Sequence, residues 1–108
     1  MNNRFYLLVD DKRNFMNMDV IARTYRRGLA SLRDDPVTHL ILDNDLGGKK
    51  EGHELLAWAR DHGCVPIHVH IVSSNTVAVK RMEDLLHYDL GYVKASTGWW
   101  DKPIPFPK

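Results

Sequence analysis

The chain has 108 residues, a formal net charge of +1 and 44% hydrophobic residues, so it is predicted to form one domain over residues 1–108 with a single buried core. The near-neutral charge excludes a global attraction to nucleic acid or to membranes, and we expect neither as a partner. No apolar run approaches the about 20 residues that cross a bilayer. With no signal peptide at the N-terminus and one cysteine, Cys64, which excludes an internal disulfide, a cytoplasmic location is expected.

The hydrophobic pattern predicts strands that alternate with helices. Thr24 and Asn75 stand where helix-capping side chains are expected, and Gly63 stands where a helix should end. In chain order, the predicted elements are a strand at 4–9, a loop at 12–18, a strand at 18–23, a helix at 24–33, a strand at 38–43, a loop at 44–51, a helix from 52 or 53 to 62, a strand at 66–73, a helix after residue 75, a short edge strand at 91–94 and an extended tail at 98–108 that is rich in tryptophan and proline. This alternation predicts a small α/β fold, a doubly wound parallel sheet of four to five strands.

Carboxylates follow two of the apolar strands. Asp10 and Asp11 end the first run, and Asp43, followed by Asp45, ends the run Leu40-Ile41-Leu42. A doubly wound sheet brings such strand ends together at its ligand-binding edge. Hard oxygen ligands without cysteine favour Mg²⁺ or Mn²⁺ over Zn²⁺. We therefore predict a metal site formed by Asp10, Asp11, Asp43 and Asp45, although aspartates after strands are also common as loop and capping residues.

A phosphate site is predicted beside the carboxylates. Ser73, Ser74 and Asn75 lie between a strand and a helix, where hydroxyl, amide and free backbone N–H groups can bind an anion, although Asn75 is also explained by capping alone. Arg13 and Lys94 are the cations that could contact phosphoryl oxygens. Of these residues, Asp43, Arg13 and Ser73 are the predicted catalytic ones.

Two further groups of residues have open interpretations. His68 and His70 alternate on one strand and so face the same side, which is compatible with a zinc pair or with a structural role under a helix. Trp99 and Trp100 could stack on a nucleobase, cover a sheet edge, or form a homodimer or protein contact.

Three motifs in order resemble those of cyclic-phosphate processing receiver domains, which have D-D-x-R after the first strand, D-H-D-L-G after the third, and H-S-x-N-P-x-G-x-x-x-M before a later helix. This chain has Asp10-Asp11-Lys12-Arg13, then Asp43-Asn44-Asp45-Leu46-Gly47, then Ser73-Ser74-Asn75 with Met82 in register. The resemblance covers most of residues 5–95. It implies a receiver-like (flavodoxin-like) fold, here shortened between the first and third strands because that interval has room for only one helix.

The chain departs from the motifs at four positions: Asn44 and Val72 replace histidines, Thr76 replaces proline and Ala78 replaces glycine. The resemblance implies a metal-dependent phosphoesterase-like domain that processes or binds a small cyclic or nucleotide phosphate. One alternative is a stand-alone signalling receiver phosphorylated on Asp43, which requires a lysine at the site, from Lys94 or Lys102. The other is a degenerate, non-catalytic domain that binds a nucleotide or a protein.

Overall fold

The structure, a computed structural model, describes residues 3–104. Its elements are β1 (Tyr6–Val9), β2 (Val20–Ala22), α1 (Tyr25–Asp34), β3 (His39–Leu42), α2 (Gly52–Asp61), β4 (His68–Ile71), α3 (Thr76–Asp84), a π-helical turn (Leu85–Asp89), β5 (Val93–Lys94) and β6 (Trp100–Asp101). Both predicted caps are present, since Thr24 Oγ1 accepts the Arg27 amide and Asn75 Oδ1 accepts the Ala78 amide, each at 3.1 Å.

The six strands form one sheet in the order β2-β1-β3-β4-β6-β5. The first four are parallel, whereas β6 pairs antiparallel with both β4 and β5. From β1 the chain continues to β2 on one side and to β3 on the other, so the sheet has a topological switch point between β1 and β3. The predicted receiver-like α/β fold is thereby confirmed, and the switch point lies where Asp10 and Asp43 leave their strands.

A single hydrophobic core joins the helices to one face of the sheet. Alternate strand residues such as Leu7, Leu40 and Val69 pack with Leu55 of α2 and Met82 of α3. In the described residues the connection from β1 to β2 contains no helix, as the predicted shortening requires, and the three helices pack on this one face. Among residues 3–104, no helix is long and apolar enough to cross a membrane.

The predicted extended tail is wrong for residues 100–101, which form β6. Trp100 pairs with Val69 and Asp101 pairs with His68, so the strand covers the edge that β4 would otherwise expose, and the sheet has six strands rather than four to five. This pairing depends on a partner far away in the sequence, which local composition does not reveal. Residues 105–108 of the predicted tail lie outside the described part of the chain.

Candidate functional site

A cavity of about 550 Å³ opens at the carboxyl ends of β1, β3 and β4. Eight of the nine predicted site residues line it; only Lys94 does not. The lining residues are Asp10, Asp11, Lys12, Arg13, Asp43, Asn44, Asp45, Gly48, Glu51, Ser73, Ser74 and Asn75. The switch point of the sheet therefore brings the acidic motifs and the serine motif to one place.

Three carboxylates converge in this cavity. One oxygen from each of Asp10, Asp11 and Asp43 lies within 4.8 Å of the others. Asp10 is fully buried and Asp43 is 6% exposed. Such a set of oxygen donors fits Mg²⁺ or Mn²⁺, which prefer carboxylate ligands. Asp45 lines the cavity but stands outside this cluster, and its Oδ1 accepts the Gly47 amide at 3.1 Å.

Arg13 connects the two buried carboxylates. Its Nη1 lies 2.9 Å from Oδ2 of Asp10 and 3.3 Å from Oδ2 of Asp43. The same nitrogen donates to the carbonyl oxygen of Val72, which precedes Ser73, at 2.8 Å. The guanidinium thus spans the cavity from the end of β1 to the end of β4.

The environments of Asp10 and Asp43 move their pKa values in opposite directions. Burial alone would raise the pKa of Asp10, but hydrogen bonds from the Arg13 and Lys12 amides and from the Arg13 guanidinium hold it below its ordinary value. Burial, followed by the charge of Asp10, raises the pKa of Asp43, and the Asn44 amide and Arg13 only partly offset this. Asp10 is therefore favoured as a carboxylate, whereas the charge on Asp43 is held against a cost.

The serine side of the cavity is built around the start of α3. Asn75 caps the helix, as predicted, and the Ser73 hydroxyl accepts the Asn75 amide at 3.1 Å. Ser74 is exposed between them. Hydroxyl groups beside the N-terminus of a helix form a polar environment suited to a phosphate group.

Asn44, which replaces a histidine of the resembled motif, is 2% exposed and held by a network that the sequence analysis did not predict. Its Oδ1 accepts from the backbone amide of His53 at 3.2 Å and lies 3.0 Å from His53 Nδ1, while its Nδ2 donates to Glu51. Arg81, a donor only, lies 3.1 Å from His53 Nε2, so Nε2 accepts and Nδ1 carries the proton. The network fixes Glu51 at the wall of the cavity.

Arg23 is a second residue that the sequence analysis missed. Its Nη1 donates to the carbonyl oxygens of Asp10, at 3.3 Å, and Arg13, at 2.6 Å, and its Nη2 donates to Asn14. Arg23 directly follows β2, which pairs with β1, so its position at the same sheet edge as Asp10 was the available signal. It fixes the backbone of the loop that presents the first acidic motif.

Lys94 and Lys102 lie away from the cavity. Strand β6 separates β5 from β4, and Lys94 Nζ pairs with Glu83 at 3.3 Å. The Lys102 amide donates to the Ile67 carbonyl at 2.8 Å, at the opposite end of β4 from the site. The prediction that Lys94 contacts the same phosphate as Ser73 therefore does not fit this geometry.

The histidine pair and the tryptophans have their own partners on the sheet. His68 Nδ1 lies 2.7 Å from Asp101 Oδ1, and His70 Nδ1 lies 3.2 Å from the Gly98 carbonyl oxygen. Within the described residues, no three-ligand group of histidine, cysteine and acidic side chains includes either histidine. Trp100 is buried in the core, and Trp99 is half-buried beside His70, with their ring centroids 5.3 Å apart.

Comparison with known proteins agrees with this architecture. A solved structure described as the yeast Spc42 trimeric coiled coil, amino acids 181–211, fused to another protein matches with a TM-score of 0.62 and 14% sequence identity. The match covers 78% of this chain and 63% of that one, and at this identity it supports the fold alone. No curated protein matches significantly. The model of the cyclic-phosphate processing receiver domain family matches residues 5–88, and the chain belongs to this family.

Proposed function

We propose that this receiver-like domain holds a divalent cation, Mg²⁺ or Mn²⁺, and with it binds and hydrolyses a small cyclic or nucleotide phosphate. The observation that carries the proposal is the convergence of Asp10, Asp11 and Asp43 in the cavity that also contains Ser73. The family of the chain and the polar wall of the cavity support the same substrate class.

The side chains divide the work by charge. Asp10, Asp11 and Asp43 would hold the cation, which when bound supplies Lewis acidity toward a phosphoryl oxygen and toward an attacking water. Arg13 and the Ser73 hydroxyl would contact phosphoryl oxygens, with Ser74 and Asn75 beside them. Hydrolysis of a cyclic phosphate adds one water across one P–O bond and leaves a phosphate monoester and a free hydroxyl.

Glu51 is the carboxylate best placed to exchange protons during that reaction. It lines the cavity and lies outside the three-carboxylate cluster. The motif histidines are Asn44 and Val72 in this chain, so neither position supplies an imidazole. Asn44 instead donates a hydrogen bond to Glu51 and fixes its orientation.

Phosphorylation of Asp43 as in a signalling receiver is less well supported. That reaction requires a lysine at the acidic site, and both Lys94 and Lys102 have partners elsewhere on the sheet. Binding without turnover is the closer rival, because it uses the same cation and phosphate contacts.

The proposal is tested with purified protein, Mn²⁺ and a panel of cyclic mononucleotides and cyclic oligonucleotides, with both turnover and binding measured. We expect at least one compound to be hydrolysed or bound in a Mn²⁺-dependent manner. Asp43→Asn should abolish this, since it removes one of the three converging carboxylates.

Asp34→Asn is the matched control, because Asp34 is exposed and pairs only with the neighbouring Arg33. It should behave like the wild type. Binding without hydrolysis would assign the domain as a sensor. Failure of the wild type to bind or hydrolyse any compound, or an unchanged Asp43→Asn variant, would contradict the proposal.

A further inference from the structure

We infer that Arg13 competes with the cation for Asp10 and Asp43 and couples cation binding to phosphate binding. The guanidinium contacts the carboxylate oxygens that a divalent cation would use, and it becomes available to a phosphate when the cation displaces it. The inference rests on the proposed function and adds to it a dependence of each ligand on the other.

Each of the two buried carboxylates has one oxygen bound by backbone amides and the other directed at Arg13. Asp10 Oδ1 accepts the amides of Lys12 and Arg13, both at 2.9 Å, and Asp43 Oδ1 accepts the Asn44 amide at 2.8 Å. Arg13 Nη1 contacts Oδ2 of both carboxylates, at 2.9 and 3.3 Å. A cation that bridges Asp10 and Asp43 would approach the same Oδ2 atoms, where the positive guanidinium would repel it.

The Arg13 side chain can change partners without movement of its backbone. The Arg13 amide is bonded to Asp10, and the Arg13 carbonyl is held by Arg23. In contrast, the side chain is 43% exposed and reaches the Val72 carbonyl, one residue before Ser73. A rotation of the side chain alone would transfer the guanidinium from the carboxylates to an anion bound at Ser73.

This arrangement predicts positive coupling between the two ligands. A cation that binds alone must break the contacts between Arg13 and the carboxylates, whereas a phosphate that accepts the guanidinium offsets that loss. Such coupling is reciprocal, so the cation should strengthen phosphate binding by the same factor. Arg13→Gln should therefore bind the cation more tightly than the wild type and respond less to an anion.

The test is a calorimetric titration of Mn²⁺ into the wild type, Arg13→Gln and Arg13→Lys, with and without sulfate as a tetrahedral anion. We expect Arg13→Gln to bind Mn²⁺ about tenfold or more tightly, because a like charge a few ångströms away has been removed. Arg13→Lys, which keeps the charge but lacks the planar fork, should lie between, and it maintains the test if Arg13→Gln does not fold. Sulfate should strengthen Mn²⁺ binding more in the wild type than in either variant.

Arg33→Gln controls for the loss of one positive charge, because Arg33 pairs with Asp34 at the surface and lies outside the cavity. It should bind Mn²⁺ as the wild type does. If the wild type binds Mn²⁺ but neither Arg13 variant binds it more tightly, the inference is overturned and the proposed function stands. If no protein binds Mn²⁺, both are overturned.

Discussion

Asp10 and Asp43 form one carboxylate cluster, yet their replacement by asparagine should change the stability of the fold in opposite directions. Asparagine has nearly the same shape as aspartate, so each substitution mainly removes a charge. Asp10→Asn should destabilise the protein and Asp43→Asn should stabilise it, because hydrogen bonds favour the charge on Asp10 whereas burial and a neighbouring carboxylate disfavour the charge on Asp43.

The loss at Asp10 comes from its contact with Arg13. An asparagine oxygen could still accept the Lys12 and Arg13 amides, but its NH₂ group would face the guanidinium, which is also a donor. A hydrogen bond to a charged group contributes about 1.5–3 kcal/mol, and the partial exposure of Arg13 reduces this to about 1–2 kcal/mol. For a domain of this size the melting temperature should fall by about 4–8 °C.

The gain at Asp43 comes from removal of a buried charge close to Asp10. An asparagine oxygen can still accept the Asn44 amide, so the main bond to this side chain is kept. Each pKa unit by which the fold raises a carboxyl group corresponds to about 1.4 kcal/mol, and we expect a gain of about 1 kcal/mol. The melting temperature should rise by about 4 °C.

Thermal melts at pH 7 and at lower pH values, without divalent cations, test this pair. The folded pKa of Asp10 lies below 3.8, so its contribution is complete at pH 7 and is lost as the pH falls through that folded value. The folded pKa of Asp43 lies above 3.8, so its cost is complete at pH 7 and disappears as the pH falls through that value. If both variants shift the melting temperature at pH 7 in the same direction, the electrostatic description of the site is refuted.

Three further predictions concern the fold. Gly52→Ala should cost at least about 2 kcal/mol in chemical denaturation, because its Cβ would lie 2.0 Å from a backbone oxygen at the end of β3, whereas Gly48→Ala in the same loop should be neutral. Tyr92→Phe should cost about 1 kcal/mol, because its buried hydroxyl, with a pKa raised to about 12 by burial, donates to a backbone carbonyl, whereas Tyr88→Phe at the surface should cost nothing; equal effects would contradict this. Burial, followed by the charge of the nearby histidine, lowers the pKa of His39 below 6.5, so folding should weaken as the pH falls below that value, and His39→Gln should weaken less between pH 7 and 5 in denaturation curves.

The site could be predicted from the sequence where it depends on strand ends. Asp10 and Asp43 follow apolar runs, and parallel strands deliver such residues to one edge whatever the details of packing. Arg13 and Ser73 lie within three residues of those strand ends, so their positions followed as well. The caps Thr24 and Asn75 depend on local hydrogen bonds and were also predictable.

The parts that could not be predicted depend on contacts between distant segments. Strand β6 inserts between β4 and β5, and this pairing moves Lys94 away from the site. The orientation of Glu51 depends on Asn44 and His53, which come together only because α2 begins against the end of β3. Neither arrangement leaves a periodic pattern in the sequence.

The central claim is that Asp10, Asp11 and Asp43 hold a divalent cation at the switch point of the sheet. Its most direct test is a crystal of the protein soaked in Mn²⁺, with data collected to give an anomalous difference map. The account predicts one strong peak in contact with a carboxylate oxygen of each of the three aspartates, and its absence from crystals of Asp43→Asn. A map without a peak at these carboxylates, or with manganese bound only elsewhere, would contradict the account.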